Sequence, residues 1–136
     1  MTSIMDLPKK TILYVDDDQD DCELFAEGLT VIDSTIVLLT ANSGQQALDI
    51  LFHAKNSSYF PSFVVLDMNM PVMDGRRIVE EMKKDDAFSL LPIVIFTTSP
   101  YEKYNKYWEE HNIKVISKPT KISEFPDVVS KIINLH

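Results

Sequence analysis

The sequence predicts an α/β domain of five βα units, (βα)5, built on a parallel sheet covered on both faces. Three observations carry the prediction. Strand-like runs begin near residues 12, 37, 63, 93 and 113. The gaps between them are too long for hairpins and suit one helix each. The runs are continuously apolar rather than alternating, as parallel strands buried on both faces are.

Each element has its own signal. Ile12-Leu13-Tyr14-Val15 forms the first run and ends in Asp16-Asp17-Asp18. Cys22, Phe25, Ala26 and Leu29 then recur at helical spacing. After the second run, Ser43 stands three residues before Gln46, a capping-box spacing. Ala47, Ile50, Leu51 and Ala54 form the apolar stripe of that helix. Phe63-Val64-Val65-Leu66 ends in Asp67, and Met68-Asn69-Met70-Pro71 follows. Asp74 is placed to cap a helix that buries Ile78, Val79 and Met82. Ile93-Val94-Ile95-Phe96 ends in Thr97-Thr98. Ser99-Pro100-Tyr101-Glu102 then combines a capping serine, a proline at the first helical position and a glutamate three residues on. The last run, Ile113 to Ser117, ends in Lys118-Pro119, and Val128, Val129, Ile132 and Ile133 close the chain.

Composition narrows the function. A chain of 136 residues, 45% hydrophobic, fits one domain with one core. There is no apolar run long enough to cross a bilayer, and Met1 to Lys10 lacks the apolar centre of a signal peptide. The expected location is the cytoplasm, with no membrane contact. A single cysteine, Cys22, excludes an internal disulfide. The formal net charge of −8 argues against DNA as a partner, since such affinity rests on Lys and Arg.

The strand ends describe one site. In an open α/β sheet, functional groups gather outside the carboxyl ends of the strands. Here those ends carry Asp16 and Asp17, Asp67, Thr97, and Lys118. Acids with a hydroxyl and an ammonium suit a divalent cation beside a phosphoryl group. Asp67 can be a metal ligand, a nucleophile or a helix cap. Pro71 and Gly75 shape a loop there in place of an immediate helix, which weakens the capping reading, and carboxylates do act as nucleophiles. Asp16 and Asp17 supply hard oxygen ligands for Mg²⁺. Asp18, Asp20 and Asp21 are expected to cap the next helix or face solvent. Lys118 is expected in an ion pair with the acids, held extended by Pro119.

These residues together resemble the receiver domain of two-component response regulators. The resemblance rests on Val15-Asp16-Asp17, on Leu66 to Pro71 with Met73-Asp74-Gly75, on Thr97, and on Lys118-Pro119. It covers nearly the whole chain, with 1–10 read as an N-terminal extension and 11–136 as the receiver domain. It implies a flavodoxin-like, doubly wound sheet of order 2-1-3-4-5. It further implies Asp67 as phosphoacceptor and Asp17 as direct Mg²⁺ ligand. Asp16 would act through water, and the backbone carbonyl of Asn69 would complete the protein ligands. Lys118 would pair with the phosphoryl oxygens, and Thr97 would be the switch hydroxyl. The implied donor is a histidine kinase or a histidine phosphotransfer protein. No output domain is expected, so the signal would pass to an unknown downstream protein by contact. One position departs from the pattern: where the family often has Tyr or Phe, this chain has Val115.

Tyr101, Tyr104, Tyr107 and Trp108 crowd the expected fourth helix, more aromatics than a solvated face needs. One edge of that helix must pack on the sheet, so one or two of them are expected in the core. The rest suggest a partner surface or a homodimer there, through Tyr104, Tyr107 or Trp108. Two rival readings stand beside the receiver. A small aspartate-nucleophile phosphohydrolase would look for an acid two residues after Asp67, where Asn69 stands. A receiver-like binding module that takes no phosphate would be expected to lose Asp17, Asp67 or Lys118, and all three are present.

Overall fold

The computed structural model describes residues 10–57, 59–98 and 105–135. Its sheet has five parallel strands in the order β2-β1-β3-β4-β5. These are β1 (Thr11–Val15), β2 (Val37–Ala41), β3 (Phe63–Leu66), β4 (Ile93–Thr97) and β5 (Lys114–Ser117). The register sets Ile12 against Leu38 on one side and Phe63 on the other, Val64 against Ile93, and Thr97 against Ser117. Among the described residues five α-helices alternate with the strands: α1 (Gln19–Ile32), α2 (Gly44–Ala54), α3 (Gly75–Lys83), α4 (Asn105–Glu110) and α5 (Phe125–Ile133). The doubly wound order and its crossovers are those expected from the resemblance.

The chain winds one way from β1 to β2 and the other way from β1 through β5, so helices fall on both faces. On one face, Ile12, Tyr14, Phe63, Val65 and Phe96 pack against Cys22, Phe25 and Leu29 of α1 and Val129 and Ile132 of α5. On the other, Leu13, Val15, Val64 and Leu66 pack against Leu48 and Leu51 of α2, Val79 and Met82 of α3, and Trp108 of α4. The three central strands β1, β3 and β4 are buried throughout, which explains their unbroken apolar runs. No described helix is long and apolar enough to cross a membrane.

Caps follow the sequence signals. The Asp18 side chain accepts from the amides of Asp20 and Asp21, Ser43 accepts from that of Gln46, and Asp74 from that of Arg77. The box at α2 closes one residue early, since Gln46 Oε1 accepts from the Asn42 amide at 2.6 Å. The last strand starts at Lys114, one residue later than its apolar run. The reason is local: Asn112 takes a left-handed φ of 56°, and the Ile113 amide donates to Trp108 O at 2.8 Å to close the turn. The Ser99-Pro100 cap, Tyr101 and Tyr104 lie outside the described residues.

Candidate functional site

The site sits where β1, β3 and β5 end. Backbone ladders fix each side chain there. The Asp16 amide donates to Ala41 O (3.0 Å), the Asp67 amide to Val15 O (2.9 Å), and the Lys118 amide to Thr97 O (2.8 Å). Carboxylate oxygens of Asp16, Asp17 and Asp67 all lie within 4.8 Å of one another. Asp16 and Asp67 are buried, whereas Asp17 is exposed at the mouth. Oxygen donors in that arrangement fit a hard divalent cation.

Lys118 ties the acids together. Its Nζ lies 2.7 Å from Asp16 Oδ2, 2.7 Å from Asp21 Oδ2 and 3.5 Å from Asp67 Oδ2. Burial alone would lower its pKa, but hydrogen bonds to Asp16 and Asp21 and the charge of Asp67 hold it above the ordinary lysine value. It remains a full positive charge. Asp16 is saturated in turn. Its Oδ2 accepts from Lys118 and from the buried Tyr14 hydroxyl at 2.8 Å, and its Oδ1 accepts from the Asp18 amide at 3.0 Å. Burial first, then Asp16, push the Tyr14 hydroxyl far above the usual tyrosine range, so it acts as a neutral donor.

Asp67 is different. Desolvation pushes its carboxyl up to about 7, with Asp16 adding to the rise and Lys118 and the Asn69 amide opposing it. The Asn69 amide is 3.4 Å from Asp67 Oδ1, a long contact. Without a cation, burial therefore disfavours the ionised carboxylate.

The loop after Asp67 is pinned at both ends. The Gly75 amide donates to Met68 O at 3.1 Å, and a Cβ on Gly75 would lie 3.2 Å from Asp67 O and 3.3 Å from Met68 Cα. Glycine suits that close approach, since any Cβ would press on backbone atoms. Between them the Met73 amide donates to Pro71 O at 2.7 Å across Val72, which takes a φ of 70° and is fully exposed. The Met73 side chain packs where a Cβ on Gly44 would be, at the start of α2.

The structure thus brings together Asp16, Asp17, Asp67 and Lys118. Thr97 is fully buried as the last residue of β4, between the strands that carry Asp67 and Lys118. Val115 is half-buried beside the α2–α4 core. Two sequence expectations change. Asp21 neither caps α1 nor simply faces solvent, because its carboxylate pairs with Lys118. A signal existed: Asp21, Phe25, Gly28 and Leu29 share one helical stripe, and the last three are buried. Trp108 is not a surface anchor, being 1% exposed against the core. Tyr107 is half-buried, its ring 5.1 Å from the Arg76 guanidinium and 4.1 Å from the His111 ring. Tyr14 was also missed as a site residue. It is a buried hydroxyl two residues before Asp16 on the same strand face, and such a hydroxyl needs an acceptor.

Comparison with known proteins gives a family. The response regulator receiver domain model matches residues 12–130. The response regulator Rcp1 of Synechocystis sp. is 32% identical over 97 residues, covering 70% of this chain and 66% of that protein. The probable transcriptional regulator ycf27 of Porphyra purpurea is 36% identical over 93 residues, covering 68% of this chain and 34% of that one. The chain thus spans about two thirds of the first relative and about a third of the second. Among solved structures, the Mn(2+)-bound form of Rcp1 superposes with a TM-score of 0.78 at 28% identity, covering 90% of this chain and 91% of that one.

Proposed function

The chain belongs to the response regulator receiver domain family, and from that premise we propose a phosphorylation-dependent switch whose phosphoacceptor is Asp67. The observation that carries the assignment is the convergence of the Asp16, Asp17 and Asp67 carboxylates with the Lys118 ammonium at one sheet edge. The donor is a phosphohistidine of a histidine kinase or histidine phosphotransfer protein. A carboxylate oxygen of Asp67 attacks phosphorus. The bond from phosphorus to the imidazole nitrogen breaks, and its electron pair stays on the ring. Such a transfer depends on positioning and charge neutralisation more than on acid–base chemistry.

The chain's own residues divide that task. Asp17 and Asp67 would hold Mg²⁺, Asp16 would act less directly, and the Asn69 carbonyl would complete the protein ligands. The Mn(2+)-bound form of Rcp1 supports a divalent cation here. When bound, the cation would supply positive charge that favours the ionised Asp67 carboxylate and offsets the incoming phosphoryl oxygens. Lys118 neutralises the phosphoryl group from the side of β5. Thr97 is the switch hydroxyl at the end of β4. Tyr14 and the Asp18 amide hold Asp16 in one orientation throughout.

The exchange is a cytoplasmic one, and the chain acts on its own phosphoryl group alone. Output passes by contact to a downstream protein, or to a second copy, at the α4 face through Tyr107. With Trp108 buried and Val115 at the family's aromatic position, loop and helix movement carries the signal. The test is intact mass after incubation with Mg²⁺ and a small phosphodonor. Wild type gains one phosphoryl group, and Asp67→Asn gains none.

A further inference from the structure

Asp21 has no part in the reaction just described, yet it makes one of the two shortest contacts of the essential ammonium. Lys118 Nζ has three protons to give. Two lie toward Asp16 Oδ2 and Asp21 Oδ2, each at 2.7 Å, and Asp67 Oδ2 is left at 3.5 Å. An ammonium that turns to a phosphoryl group on Asp67 must loosen one of the short contacts. Asp16 is a poor candidate for release, because its side chain is wholly buried and water cannot replace the lysine. The Asp21 side chain is 20% exposed, in the first turn of α1, so water can take the vacated place. A helix start also tolerates an acid well without a partner.

We propose that Asp21 is a positioning residue that parks Lys118 on α1 in the unphosphorylated chain and competes with the phosphoryl group for it. The inference rests on the phosphoacceptor reading above and deepens it. Asp21 sets the balance between the two states, and the release of Lys118 frees the first turn of α1 when the phosphoryl group arrives.

The probe is beryllofluoride with Mg²⁺, an analogue of a phosphoryl group on a carboxylate. Its affinity is measured for wild type, Asp21→Asn, Asp21→Glu, Lys118→Ala and the double variant Asp21→Asn/Lys118→Ala. Replacing a charged acceptor with a neutral one should tighten binding about fivefold, the equivalent of about 1 kcal/mol. Asp21→Glu should return toward wild type. In the Lys118→Ala background, Asp21→Asn should change nothing. A second readout needs no metal: in chelator, the Lys118 ε-ammonium ¹⁵N resonance should shift in Asp21→Asn. Unchanged or weaker beryllofluoride binding by Asp21→Asn would overturn the proposal. So would an equal gain without Lys118, or an unmoved ammonium resonance. If wild type binds no beryllofluoride, the phosphoacceptor reading itself falls, and this inference with it.

Discussion

Replacing Asp67 with asparagine should stabilise the metal-free protein, and by an amount that depends on pH. The carboxyl is buried beside Asp16 and is raised from 3.8 to about 7, desolvation being the main cause. The folded value lies above the unfolded one, so the folded chain favours the protonated form. That preference stabilises fully below about pH 4 and is lost as pH rises through about 7. About three pH units at 1.36 kcal/mol each give at most about 4 kcal/mol. Relaxation of Lys118 and entry of water reduce this, so about 2–4 kcal/mol is expected at pH 8. Asparagine keeps the shape and never ionises. For a chain of this size each kcal/mol moves the melting temperature by about 3 °C, so Asp67→Asn should melt about 6–12 °C higher than wild type at pH 8 in chelator. At pH 4.5 the gap should shrink to about a quarter of its size at pH 8. Saturating Mg²⁺ should raise wild type at pH 8 and close much of the gap. The assay is thermal unfolding across pH, with chelator and with Mg²⁺. A variant less stable than wild type at pH 8, or a gap of equal size at both pH values, would refute the reasoning.

Three further substitutions probe the same site. Asp17→Asn should erase most of the Mg²⁺-dependent gain in stability, which for wild type at a hundredfold excess over Kd is about 2.7 kcal/mol; thermal unfolding with and without Mg²⁺ checks it. Tyr14→Phe removes a buried donor to the Asp16 carboxylate and should lower stability by about 1.5–3 kcal/mol in urea unfolding. Gly75→Ala sets a Cβ against backbone atoms of Asp67 and Met68, so it should cost about 1–3 kcal/mol and weaken Mg²⁺ binding measured by titration.

The sequence made the fold legible because its central strands are buried on both faces. Phe63 to Leu66 and Ile93 to Phe96 read as strands without help from alternation, and their ends then fall on one edge by topology. That is why Asp16, Asp17, Asp67 and Lys118 are legible as one group in the sequence itself. The contacts of Asp21 and Tyr14 were less visible, since each depends on a partner distant in the chain or on a face not yet assigned. Lys118 lies 97 residues from Asp21, and no local rule joins them. Tyr14 reads as one more apolar strand residue until its hydroxyl is asked for an acceptor. Trp108 misled for a related reason. The mixed character of that segment does not announce its inner face, and among the described residues of α4 the tryptophan is the one buried.

The central claim is that Asp67 accepts a phosphoryl group in a site that needs a divalent cation. The most direct measurement is intact mass with peptide mapping after exposure to a small phosphodonor, with Mg²⁺ and with chelator. The account predicts one added phosphoryl group in Mg²⁺, mapped to Asp67, absent in chelator and absent from Asp67→Asn. Labelling of Asp67→Asn at the wild-type level, or wild-type labelling unaffected by chelator, would contradict it.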